Sequence, residues 1–293
     1  MEEEQKKHSI EGFLIQKTDF RVEIIINDDA STDNTALIIA EYQKIYPQLF
    51  VVFYQSENQY SKGIKPHAHV MYPVAKGKYI AVCEGDDFWI DSQKLLKQVN
   101  YLEQNKGASM CFHRANVIAE NGEIIKNKSV GSRQFKTKHS TKDLFRKAWF
   151  IPTASIVYRN KLFETFPSWY DAVKAGDLTL NFLLSKYGTL DYIDETLCTY
   201  RKHSGGVSTQ INSIDRFADL IVIYKSINLE FGGVFEEEMH KAIHRKYAFL
   251  LKDSILTNDL NMDLFSQSLD ISSILKFFLL KITNKVKRSL NPN

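Results

Sequence analysis

Residues 21–35 read RVEIIINDDASTDNT, and the fold class turns on this stretch. A run of β-branched residues stops at Asp28-Asp29-Ala30-Ser31-Thr32-Asp33, a cluster of turn and helix-cap residues, and helix formers then fill 34–46 up to Pro47. The reading is strand, turn, helix. Working outward, 49–54 (LFVVFY) is a second strand, and a polar loop with Gly63 and Pro66 leads into a short helix ending near Ala75. A third strand, 78–83 (KYIAVC), closes on Glu84-Gly85-Asp86-Asp87 and is followed by a helix over 92–104. This alternation predicts an α/β domain, a mostly parallel sheet joined by right-handed crossovers and flanked by helices.

The second half reads differently. Residues 109–120 and 123–125 flank Asn121-Gly122, a strong hairpin-turn signal. Further strands are expected over 153–158 and 189–200, with a helix over 177–186, and the pattern is helical from 211 onward. Gly205-Gly206 marks the expected boundary between an α/β body, 1–207, and a helical C-terminal region, 208–293.

Composition narrows the function. With 44% hydrophobic and 25% charged residues the chain is an ordinary globular one, and a net charge of +3 excludes nucleic acid as the main partner. Cys83, Cys111 and Cys198 are far apart and form neither a disulfide framework nor a zinc ribbon, which suits a reducing, cytoplasmic setting. The polar start MEEEQKKHSI is no secretory signal, and no run approaches the ~20 apolar residues that span a bilayer. The charge is unevenly placed. Residues 271–293 hold five basic residues and no acidic one, and subtracting this +5 from +3 leaves −2 for the rest. In that tail Ile271, Ile274, Leu275, Phe278, Ile282 and Val286 share one helical face. A basic amphipathic helix of this kind either packs on the body or lies on an anionic membrane, where each basic residue adds about 1 kcal/mol. The expected location is the cytoplasm, with peripheral attachment to the inner face of the membrane through this tail.

In open parallel sheets ligands bind at the carboxyl ends of the strands. Asp28-Asp29 and Glu84-Gly85-Asp86-Asp87 both fall at such ends. Carboxylates there accept hydrogen bonds from a base or ribose, or hold a hard divalent cation that bridges phosphate oxygens. Each cluster alone has a plainer reading as a turn or helix cap; the pair at matching strand ends favours a ligand.

The segments 23–35 and 78–89 (KYIAVCEGDDFW) together resemble the inverting nucleotide-sugar transferases of glycosyltransferase family 2, which have the GT-A fold. The resemblance covers about 9–208. It implies that Asp29, with Asp28 beside it, contacts the nucleobase, that Asp86 makes the ribose or metal-side contact, and that Asp87 ligates the metal on the diphosphate. Glu84 stands where many members have Asp. Ala175-Gly176-Asp177-Leu178 resembles the acidic motif whose Asp is the catalytic base, and Tyr200-Arg201-Lys202-His203 resembles the family's Tyr-Arg-x-His segment. There His203 would approach the metal or diphosphate and Arg201 the phosphates, while Trp169 falls where acceptor-site aromatics often lie. Without the resemblance, Asp177 reads as a helix cap, His203 as structural and Trp169 as core.

The implied reaction is transfer of a sugar from a nucleoside-diphosphate donor, a UDP-sugar above all, to the hydroxyl of a saccharide or lipid-linked acceptor. It proceeds with inversion and with Mn²⁺ or Mg²⁺ as cofactor, in polysaccharide or glycan synthesis. Members normally begin with a strand and a Pro-x-Tyr-Asn loop; here 9–16 (SIEGFLIQ) reads as the end of the helix that follows, and the first strand is not in the sequence. The alternative is therefore a non-catalytic, glycosyltransferase-like binding or scaffold protein. A nucleotidyltransferase would open on a Gly-rich basic phosphate loop, which is not seen. Acceptor specificity is expected in 129–140 and 166–176. His240 and His244 read as surface residues, His67 and His69 carry no zinc signature, and Lys62-Gly63-Ile64-Lys65 reads as a solvated loop.

Overall fold

The computed structural model describes residues 2–125, 136–206 and 213–257. After α1 (Glu2–Leu14), β1 (Ile24–Asp28) and β2 (Phe50–Tyr54) pair in parallel, Ile24 opposite Phe50 and Asp28 opposite Tyr54. The crossover between them is α2 (Thr35–Ile45). Its Ile38 and Ile39 bury against Ile24, Phe50 and Ile10 of α1, each such side chain contributing about 1.5–3 kcal/mol. The strand–turn–helix reading of 21–46 is what the chain builds.

A second, six-stranded sheet holds β3 (Tyr79–Ala81), β4 (Phe88–Trp89), β5 (Ala108–Ala119), β6 (Lys138–His139), β7 (Val157–Arg159) and β8 (Thr189–Lys202). Their order is β3-β7-β5-β8-β4, with β6 also on β8. The long central pair β5–β8 is parallel, but every other pairing in this sheet is antiparallel. The α/β class with flanking helices stands, and the sheet is mixed rather than mostly parallel. The physical reason lies in β3, β4 and β7, which are two or three residues long. A segment that short carries no periodicity from which its direction can be read, and antiparallel entry needs no crossover helix. β5 continues into the expected turn, with Gly122 at φ 84° and the Ala119 N–H donating to the Glu123 carbonyl at 2.8 Å.

Two glycines permit close approaches. A Cβ on Gly188 would lie 2.5 Å from the Gly107 carbonyl oxygen, so glycine lets β8 start against β5. A Cβ on Gly12 would lie 2.9 Å from the Trp89 nitrogen and oxygen, so glycine brings α1 onto β4. Beneath β4, α4 (Lys94–Gln104) packs Leu95 and Leu102 against Trp89, Cys111, Ala154 and Cys198. Lys94 is fully buried here; its Nζ donates to Gln98 Oε1 at 2.8 Å and lies 4.1 Å from the Trp89 ring centroid. Burial pulls its pKa down to about 8.

α3 (Tyr72–Val74) is a single turn ahead of β3. A capping box of Ser140 and Asp143 starts α5 (Thr141–Arg146), whose Phe145 ring packs 4.8 Å from Phe182 of α6 (Gly176–Ser185) and 5.0 Å from Tyr224 of α7 (Ser213–Glu230). The last described helix is α8 (Glu236–Thr257). By contacts the chain forms two units, Met1–Ala242 and Ile243–Asn293. The boundary expected at 207/208 and the amphipathic tail 271–293 lie outside the described residues. Among the described residues no helix is long and apolar enough to cross a membrane.

Candidate active site

The turn 84–87 leaves β3 and is held in place from below. Asp87 N–H donates to the Glu84 carbonyl at 3.1 Å. Ser9 of α1 places its Oγ 2.6 Å from the Asp87 carbonyl oxygen and 3.0 Å from that of Gly85. The space a Gly85 side chain would use is taken by the Lys6 amine, 3.3 Å from a Cβ built there. The turn thereby aims three carboxylates at one point: ligand oxygens of Glu84, Asp86 and Asp87 all lie within 4.8 Å of one another.

β8 passes alongside and supplies the opposite charge. Arg201 N–H donates to Asp87 Oδ1 at 2.9 Å, its Nε donates to the Asp86 carbonyl at 3.3 Å, and its guanidinium lies over the Phe88 ring. His203 Nε2 is 2.9 Å from Asp86 Oδ2. Asp87 Oδ2 is buried with no hydrogen-bond partner among the described residues. Burial, reinforced by Asp86, pushes the Asp87 carboxyl up to about 8 against the opposing Arg201 N–H. Glu84 also reaches about 8, from the protein walls around it and then from Asp177 and Asp86, although its surface stays open to the cleft. Three converging carboxylates, one with an orphaned buried oxygen, fit a hard divalent cation.

Asp177 stands in the first turn of α6, two residues after the cap residue Ala175, and its carboxylate takes backbone hydrogen bonds at Leu178 and at Asp177 itself. Burial raises its pKa, with Asp219 adding to the shift. Its charge acts on Glu84 and, together with Glu84 and Asp219, on the Tyr60 hydroxyl, so these groups lie within electrostatic reach of one another. The structure thus brings Glu84, Asp86, Asp87, Asp177, Arg201 and His203 together.

The first acidic cluster is built otherwise. Asp29 Oδ1 accepts the Gln59 N–H and Oδ2 the Tyr60 N–H, both at 2.9 Å, which fixes the turn Tyr60–Lys62. Asp28 is buried at the end of β1, and its Oδ1 has no partner among the described residues. Asp33, one residue before the α2 cap residue Asn34, accepts the Thr35 N–H on its Oδ1 at 2.9 Å. Trp169 is half-buried in the turn Ser168–Ala172.

One reading is corrected. Lys65 is buried, not solvated: its Nζ donates to the carbonyls of Tyr170 and Val173 at 2.6 Å each. Those acceptors lie more than 100 residues away, and nothing local in a Lys-Gly-Ile-Lys loop announces them. Ser9, Tyr170 and Asp219 likewise enter the site surroundings without a sequence signal.

With this geometry in place, comparison with known proteins defines the class: residues 6–166 match the model of Glycosyl transferase family 2, and the chain belongs to that family. It is 37% identical over 210 residues to an uncharacterized protein of Mycobacterium bovis, a match covering 70% of this chain and 57% of the relative. The chain therefore spans little more than half the length of the curated relatives it matches first. It is also 35% identical over 117 residues to the Escherichia coli UDP-Glc:alpha-D-GlcNAc-diphosphoundecaprenol beta-1,3-glucosyltransferase WfaP, covering 40% of this chain and 42% of that one. The crystal structure of S. aureus TarS 1-349 in complex with UDP shares the fold, with a TM-score of 0.62 and 14% identity over 89% of this chain and 73% of that one.

Proposed function

We propose that the protein transfers a sugar from a UDP-sugar to an acceptor hydroxyl with inversion, in the synthesis of a polysaccharide or other glycan. The observation that carries this is the convergence of the 84–87 carboxylates, with Asp177 near enough for its charge to act on Glu84. Support for UDP comes from the TarS complex, and support for a lipid-diphosphate-linked acceptor from the name of the E. coli relative.

In this reading Asp29 and Asp28 receive the base. Asp29 keeps acceptor capacity, because each carboxylate oxygen has a second lone pair beyond the one facing the 59–60 backbone. Asp86 faces the ribose, and Arg201 and His203 stand toward the phosphates. Asp87, with His203 and Glu84, would hold Mn²⁺ or Mg²⁺, which when bound supplies charge compensation for the departing diphosphate. Asp177 accepts the acceptor's hydroxyl proton. The freed oxygen lone pair forms the new bond to the anomeric carbon from the face opposite the donor bond, and that bond's electron pair leaves with UDP. The pKa of Asp177, raised by burial and by Asp219, makes it a better base than an ordinary carboxylate. Trp169 offers a face on which an acceptor sugar stacks. Contact with the inner membrane surface through the tail suits a lipid-linked acceptor.

The test uses UDP-glucose and a GlcNAc-diphosphate-lipid with Mn²⁺. Asp177→Asn is expected to lower transfer about 10²–10⁴-fold and to leave UDP affinity unchanged. Loss of UDP binding in that variant contradicts the base assignment.

A further inference from the structure

Residues 174–176, which lead into Asp177, are held from two sides. On one side Asp219 of α7 accepts the Lys174 N–H at 2.6 Å and the Ala175 N–H at 2.9 Å. On the other, Lys65 reaches in from the segment that follows the Asp29-held turn. Its Nζ ties the carbonyls of Tyr170 and Val173 at 2.6 Å each, and the ammonium lies 4.9 Å from the Tyr170 ring centroid. Tyr170 is 1% exposed, and its hydroxyl donates to the Gly176 carbonyl at 3.0 Å. The same hydroxyl is 2.6 Å from His67 Nε2. A phenol has one proton, and it is spent on Gly176, so His67 carries its own proton on Nε2 and donates. Burial and the neighbouring Lys65 charge pull the His67 pKa down to about 4, which keeps the ring neutral.

The fit around Gly176 shows what these side chains are arranged against. A Cβ there would meet Tyr170 Oη at 3.1 Å, Lys65 Cε at 3.4 Å and His67 Cε1 at 3.5 Å. The start of α6 is seated directly on the three of them.

We infer that Lys65, acting through Tyr170 and supported by His67, is a positioning residue that sets the place of the Asp177 carboxylate relative to the 84–87 turn. The inference rests on the reading of Asp177 as the base. The Asp177 carboxylate is hydrogen-bonded to the backbone at the start of α6, at Leu178 and at Asp177 itself, so its direction follows that backbone, whose approach through 174–176 is set by Lys65, Tyr170 and Asp219. A merely structural clamp would change stability alone. A positioning role changes turnover in protein that still folds and still binds nucleotide.

The experiment compares Lys65→Met and Tyr170→Phe in the full chain. UDP binding with Mn²⁺ is read by calorimetry, and kcat and KM with UDP-glucose and a GlcNAc-diphosphate-lipid. Crystal structures of both variants are solved with UDP. The expected result is unchanged UDP affinity with kcat reduced about 10–100-fold, and an Asp177 carboxylate displaced by on the order of 1 Å. Unchanged kcat, or an Asp177 carboxylate left in its wild-type place, overturns the inference. Tyr170→Phe removes one hydroxyl at constant ring shape, so it decides the matter if Lys65→Met does not fold. Asp177→Asn separates the two ideas. If it transfers sugar normally, the base reading fails; if it is inactive while both clamp variants keep wild-type kcat, only the positioning role fails.

Discussion

After β1, Asp29 has both carboxylate oxygens on backbone N–H groups of Gln59 and Tyr60. After β3, Asp87 has one oxygen on the Arg201 N–H and the other buried without a partner among the described residues. Both are the second Asp of an Asp-Asp pair. The chain gives both oxygens of the first a donor and leaves one oxygen of the second without one, and a buried polar atom left short is where a ligand belongs. The difference also separates their work: the first turn shapes a loop and offers spare lone pairs, while the second gathers carboxylates whose charge a proton or a cation relieves.

The sharpest break of this contrast is Asp87→Asn. It is expected to lower sugar transfer by at least about 100-fold, the upper end of what loss of a mere supporting partner costs a metal site; transfer within a few-fold of wild type contradicts the metal role. Asp29→Asn turns an amide N–H₂ toward a backbone N–H, leaving one donor unpaired. The loosened 59–62 turn is expected to weaken UDP binding about 10-fold, in line with ~1–3 kcal/mol for an unsatisfied group, and calorimetry with Mn²⁺ present reads it.

A stability profile comes next in size. The folded-state pKa values of Glu84 and Asp87 rise from 4.5 and 3.8 to about 8. The metal-free folded protein therefore holds these protons more tightly than the unfolded chain does. Their contribution is fully present below pH ~4 and is lost as pH rises through about 8. The melting temperature of Asp87→Asn relative to wild type is expected to climb by a few degrees across that window without metal, and Mn²⁺ at pH 8 is expected to stabilise wild type alone. A difference that stays flat with pH removes the charge argument. The smallest effect is expected for Gly85→Ala, whose Cβ would meet only the flexible end of Lys6; a melting temperature close to wild type checks it.

The legible part of the fold was the part governed by periodicity. The β-branched run 24–26 that opens β1, the crossover α2 and the helix after the second acidic turn follow from residue type and spacing alone. The Asn121-Gly122 turn was equally plain. Strand direction in the second sheet was not, because β3, β4 and β7 are too short to show a pattern. The acidic turns could be placed at strand ends, yet which of them is satisfied by the chain depends on Gln59, Tyr60 and Arg201, which their flanking residues do not specify. Lys94 shows the same limit in the core: a lysine opening a helix reads as surface, and only tertiary packing puts it against Trp89. Lys65 shows it beside the site, since its acceptors at Tyr170 and Val173 come from the far half of the chain.

The central claim is that the turn after β3 is a metal–diphosphate site, and a calorimetric titration of the wild-type protein with UDP tests it most directly. With Mn²⁺ present UDP is expected to bind, and chelation with EDTA is expected to weaken that binding at least about 10-fold, since a cation held by the 84–87 carboxylates would compensate the diphosphate charge. Equal UDP affinity with and without Mn²⁺, or no UDP binding in either condition, contradicts it.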